Sequence, residues 1–95
     1  MTFEVLQQAL KTFGLSDRVS LRQIKTRHRE LVKRFHPDGG DPDDPEQIRR
    51  INAAYQVLSE YCSGYKFSFS REEFFEQIPE ERLREQFSSD PWGTR

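Results

Sequence analysis

From Leu21 onward, Leu21, Ile24, His28, Leu31, Val32 and Phe35 recur at three- and four-residue steps, placing them on one side of a helical spiral. The pattern is cut at His36-Pro37, because a proline disfavours helical backbone in the residue before it. At the other end Ser20 and Gln23 stand at capping-box spacing, able to satisfy orphan amides at both positions. Residues 20–35 therefore predict a rod of roughly 24 Å with one dry side and one wet side. A dry helical side needs another element to cover it, and this requirement limits the fold more than any other feature of the chain.

Other helices are available to cover it. Phe3, Leu6, Leu10 and Phe13 share one face of a helix over about 3–13, and Gly14 offers a left-handed C-terminal stop. A third helix, over about 45–61, starts with Asp44 as N-cap and Pro45 at the first position, where the missing N–H costs nothing. Ile48, Ile51, Tyr55, Leu58 and Cys62 form its inward stripe, with Ala53 and Ala54 allowing close approach. A loop of about eight residues between the second and third helices favours an antiparallel hairpin.

The character changes after Tyr61. Tyr65, Phe67 and Phe69 alternate with Lys66, Ser68 and Ser70 in an extended pattern that has no second strand to pair with. Ser70 and Glu73 form another capping box, ahead of Phe74, Phe75 and Ile78. Pro79 either kinks this helix or opens a new one through Leu83 and Phe87. Eight of the twelve aromatic residues lie at Tyr61 or later, so this segment either enlarges the hairpin's core or leaves a partner surface. The expected organisation is a core over 1–61, a C-terminal segment over 62–88 that packs on it, and a tail over 89–95.

Length and charge limit the function. Ninety-five residues make one small domain, and an aromatic fraction of 13% argues against a disordered chain. One cysteine, Cys62, allows no internal disulfide and implies a reducing compartment. The absence of a signal-like start or an apolar span predicts a soluble, cytoplasmic chain with no membrane contact. The net charge of −1 hides a local asymmetry. Arg18, Arg22, Lys25, Arg27, Arg29, Lys33 and Arg34 face one acid, Glu30, whereas Asp38, Asp41, Asp43, Asp44 and Glu46 follow directly. Arg22, Lys25, Arg29 and Lys33 form a stripe clear of the apolar side, with Arg27 and Arg34 on the other flank. Charged helix faces are often merely solvated, but ion pairing would predict alternating signs, which this helix mostly lacks. A docking face for an acidic partner is the sharper reading.

A basic amphipathic helix ending in Phe35, then His36-Pro37-Asp38, then a helix containing "INAAYQVLSEY", closely resembles the J-domain of the DnaJ co-chaperones. "LRQIKTRHRELVKRFHPD" is similar to that family's second helix and loop, and "RINAAYQVL" to its third helix. The resemblance covers roughly residues 3–61. It implies an all-α fold: an antiparallel helical hairpin, a first helix packed across it, and here an aromatic, partly helical C-terminal segment. It also implies a function. J-domains bind a DnaK-type heat-shock chaperone ATPase in its ATP state and stimulate hydrolysis.

Carried over by position, the resemblance makes His36, Pro37 and Asp38 the signalling turn. Lys25 and Arg29 match docking positions, while Arg22 and Lys33 extend the stripe. These residue types suit such work. Pro37 orders the turn before docking, and Asp38 offers a carboxylate that a partner arginine could grip. The chain departs from the family pattern at Glu30, where a base is usual, and at Gly39-Gly40, where a base and asparagine are frequent. His28 and Phe35 stand where tyrosine is common. A glycine/phenylalanine-rich linker, zinc-binding cysteine repeats and a peptide-binding domain are absent from these residues.

Rival readings fare worse. His36 and Asp38 as an acid–base pair lack a third group or pocket, so no enzymatic activity is expected. The acids at 38–46 lack EF-hand order, and zinc would need His28, His36 and Cys62 to converge, so neither metal nor cofactor is expected. The alternative function is a small helical nucleic-acid-binding or adaptor protein using the basic second helix. A pI near 6.1 and a long acidic loop argue against nucleic acid. The chain is expected to be a monomer.

Overall fold

The computed structural model describes residues 1–35 and 45–88. Those residues form α1 (Phe3–Phe13), α2 (Leu21–Phe35), α3 (Pro45–Ser63), α4 (Arg71–Gln77) and α5 (Pro79–Ser88), with no strand among them. They divide into two compact units, Met1–Tyr65 and a second beginning at Lys66. Among the described residues no helix is long and apolar enough to cross a membrane.

Local chemistry sets the helix ends. Thr2 caps α1 by accepting from the Val5 amide at 3.2 Å. Gly14, at φ 65°, closes the other end: its own amide reaches Lys11 O, and the Leu15 amide reaches back to Leu10 O at 3.1 Å. This pair of bonds is the Schellman arrangement, and it needs a left-handed residue that glycine adopts without Cβ strain. The capping box before α2 is complete. Ser20 N donates to Gln23 Oε1 at 2.7 Å and Gln23 N to Ser20 Oγ at 3.1 Å. Pro45 opens α3 as expected, whereas the proposed N-cap, Asp44, lies outside the described residues.

The first unit is built on Ala9, Phe13, Ile24, Leu31, Ile51, Ala54 and Leu58, one buried cluster drawn from α1, α2 and α3. Phe13 and Ile51 are the deepest large side chains. Burying a side chain of this size contributes roughly 1.5–3 kcal/mol. Three rings tie the helices together. His28 stacks on Tyr55 with centroids 3.9 Å apart, and Phe13 lies parallel to both at 6.2 and 6.4 Å. His28 Nε2 also lies 3.1 Å from Asn52 Oδ1. His28 and Asn52 stand equally far from the ends of α2 and α3 that face each other in sequence, as an antiparallel hairpin requires. Because Phe13 reaches both partners, α1 lies against the hairpin.

Several side chains depart from the expected pattern. Leu21, placed on the apolar side of α2, is exposed, as is Phe3 on α1. Both sit in the first turn of their helices. On α3, Ala54 is buried but Ala53 is exposed, and the half-buried Val57 packs on the cluster instead. Ala9, not singled out from sequence, is buried against the hairpin.

In the second unit Pro79 opens a separate helix rather than kinking α4. Ile78 adopts φ −129° and ψ 75° between them. The capping box before α4 is only half formed. The Glu73 amide donates to Ser70 Oγ at 3.1 Å, but the Glu73 carboxylate takes Gln77 Nε2 at 2.9 Å, and the Ser70 amide turns to Ser68 Oγ. Phe75 is buried in this unit, whereas Phe67, Phe69, Phe74 and Phe87 are exposed.

Candidate functional site

The charged side of α2 follows from its composition. Its apolar side chains are committed to the cluster through Ile24 and Leu31, so every residue on the opposite side is left in water. At 100° per residue Arg22, Lys25, Arg29 and Lys33 fall within about 80° of one another. All four are exposed. Among the described residues none of the four enters an ion pair, so the stripe presents four uncompensated positive charges.

The remaining charges of α2 are engaged differently. Glu30, the single acid, lies off the stripe and pairs with Arg27 at 3.3 Å. Its charge is therefore partly answered within the helix. Arg27 also donates from Nε to the Phe13 carbonyl oxygen at 2.8 Å, a partly buried bond that fastens α2 to the C-terminus of α1. Arg34 lies over the ring of Phe35 at 5.4 Å. The two flanking arginines thus have structural contacts that the stripe residues lack. Nothing local in the sequence marks Arg27 for this task, because its acceptor is fourteen positions away.

His36, Pro37 and Asp38 lie outside the described residues, as do Gly39 and Gly40. The end of α2 at Phe35 and the start of α3 at Pro45 bracket them. His28, weighed above as a possible zinc ligand, instead has its ring stacked on Tyr55 and its Nε2 against Asn52.

A family model described as the DnaJ domain matches residues 3–62. The chain belongs to the DnaJ domain family. The J-domain so defined contains all of α1 and α2 and nearly all of α3. Among similar proteins, the chloroplastic chaperone protein dnaJ 20 of Arabidopsis thaliana is 31% identical over 71 residues, which are 60% of this chain and 36% of the relative. Chaperone protein DnaJ of Geobacillus stearothermophilus is 40% identical over 48 residues, 50% of this chain and 13% of the relative. An uncharacterized 19.0 kDa protein of a Sinorhizobium species is 38% identical over 55 residues, 56% of this chain and 32% of the relative. In each case the chain spans well under two thirds of the relative's own length. No solved structure matches the chain.

Proposed function

We propose that this J-domain acts as a co-chaperone, docking on a DnaK-type heat-shock chaperone and stimulating its ATP hydrolysis. The observation that carries the reading is the exposed stripe of Arg22, Lys25, Arg29 and Lys33, which enter no ion pair among the described residues, on a DnaJ-family second helix. Four like charges on a rigid rod steer an acidic surface toward one orientation, with a strength that falls as salt screens them. Lys33 stands in the last turn of α2, three positions before His36 of the His36-Pro37-Asp38 segment. A partner held by the stripe is thereby brought to the tripeptide. Pro37 restricts its own φ and the backbone of His36 before it, which lowers the ordering cost of docking. Asp38 supplies a carboxylate for a charge-assisted hydrogen bond in the partner. The chemistry takes place in the partner's nucleotide site, and this chain contributes contacts only.

The test is steady-state ATP hydrolysis by a DnaK-type chaperone with and without the full chain. Stimulation by the native chain and its loss in His36→Gln, at an unchanged melting temperature, are expected. Full stimulation by His36→Gln would sink the proposed role of the tripeptide. A parallel gel shift with random-sequence DNA should show no complex at physiological salt.

A further inference from the structure

The short α5 helix is turned with its polar side inward. At 100° per residue Glu81, Arg82 and Glu85 share one side of α5, and Leu83 and Phe87 share the other. The polar side faces α4: Arg82 lies 5.2 Å from the ring of Phe75, and Glu85 is paired with Arg71. The apolar side is left in water, with Leu83 57% and Phe87 75% exposed. A surface helix ordinarily gains stability by covering its apolar stripe and wetting its charges. An α5 held in the reverse sense presents a stripe made for something outside the unit.

The charges of the unit indicate which chemistry would cover that stripe. Among the described residues its arginines are engaged: Arg71 with Glu85, Arg84 with Glu81 at 3.5 Å, and both Arg71 and Arg82 over the Phe75 ring. Glu72, Glu76 and Glu80, by contrast, enter no ion pair among the described residues. Glu80 stands one turn before Leu83 on the same side of α5. The surplus is acidic, and the nearest surplus charge borders the apolar stripe.

We propose that the Leu83–Phe87 side of α5 is a docking surface for a basic amphipathic helix of another protein. The apolar stripe of that helix would cover Leu83 and Phe87 while its lysines or arginines meet Glu80. A second copy of this chain fits less well. Its own α5 would bring the same unpaired acids, and its basic α2 has already committed Ile24 and Leu31 to its own core. The surface shares no residue with the stripe on α2, so this partner need not be the chaperone ATPase.

Two labelled peptides of about 18 residues, long enough to hold a helix, supply the test. One places leucine at i, i+3, i+4 and i+7 spacing with lysine at the remaining positions, and the other carries glutamate in place of lysine. Fluorescence anisotropy with the full chain is expected to show binding of the lysine peptide alone. Backbone amide shifts should concentrate over residues 79–88. Leu83→Ser combined with Phe87→Ser should weaken binding about tenfold or more. Glu80→Lys should weaken it at low salt more than at high salt.

Binding of both peptides alike, or of neither, would overturn the proposal. So would shifts centred on the acidic stretch at 38–46, or coverage of the stripe by the chain's own residues. Sedimentation showing a dimer that Leu83→Ser and Phe87→Ser dissolve would assign the surface to a second copy instead. Both substituted side chains are exposed, so the melting curve should hold; if it falls, the amide map of the native chain decides alone.

Discussion

At the scale of single residues, Arg27 shows how one side chain can change roles through a partner distant in sequence. It lies among six other bases between positions 18 and 34, yet its Nε donates to Phe13 O and its Nη1 to Glu30. The Phe13 carbonyl is one of the acceptors that a helix terminus leaves without an intrahelical bond, and Arg27 satisfies it from another helix. Removing the donor strands a partly buried carbonyl. Arg27→Ala is therefore expected to cost about 1–2 kcal/mol, and Lys25→Ala, an exposed change with no ion pair to lose, under about 0.5 kcal/mol. Urea unfolding followed by circular dichroism separates the two. Equal stabilities would show that the Arg27 bond is worth no more than water. Gly14 adjoins this contact, and a Cβ there would meet Arg27 Nη2 at 3.5 Å, an ordinary van der Waals distance. The requirement for glycine is accordingly one of backbone conformation, set by its φ of 65°.

At the scale of elements, α2 carries two nearly independent programs on opposite sides. One side places Ile24 and Leu31 in the core, and the other leaves Arg22, Lys25, Arg29 and Lys33 in water with no ion pair among the described residues. Because these sides share no side chain, charge on one can be reversed without touching packing on the other. Lys25→Glu with Arg29→Glu is expected to lower chaperone ATPase stimulation strongly at low salt, with the difference from the native chain narrowing as salt rises. The melting temperature should stay within a few degrees of the native value, since exposed substitutions usually change stability by less than about 0.5 kcal/mol. Unchanged stimulation across the titration would place the docking surface elsewhere. The same separation of sides, in reverse, distinguishes α5. There the charged side is engaged with α4 and the apolar side faces solvent.

At the scale of the whole molecule, the two units differ in what holds them. The first joins three helices through a cluster in which Phe13, Ile51 and Leu58 are almost fully buried. The second has helices of 7 and 10 residues, shorter than isolated helices that persist in water, and buries Phe75 between two arginines. Native-state hydrogen exchange is expected to reflect this difference. Amides around Phe13, Ile51 and Leu58 should open only with global unfolding, while those of α4 and α5 should exchange about a hundredfold faster or more. Equal protection in the two units would mean that the second is held by more than its own contacts.

The helices of the first unit, their capping at Gly14 and Ser20, the polarity of α2 and the family to which the chain belongs are all legible along the chain. Those features rest on spacing and on chemistry within a turn of the helix, which a linear reading contains. What depends on distant neighbours emerges only from the folded packing. His28, read as a core residue, became a stacking partner for Tyr55; Ala54 was buried and Ala53 left in water; and Arg27 was drawn from the basic cluster to the end of α1. The orientation of α5 is the clearest case. Its apolar and polar residues are plain in the sequence, but only the position of Phe75, Arg71 and Arg82 shows that the polar side turns inward. Periodicity identifies the two sides of a helix, and only the competition among its neighbours determines which side is covered.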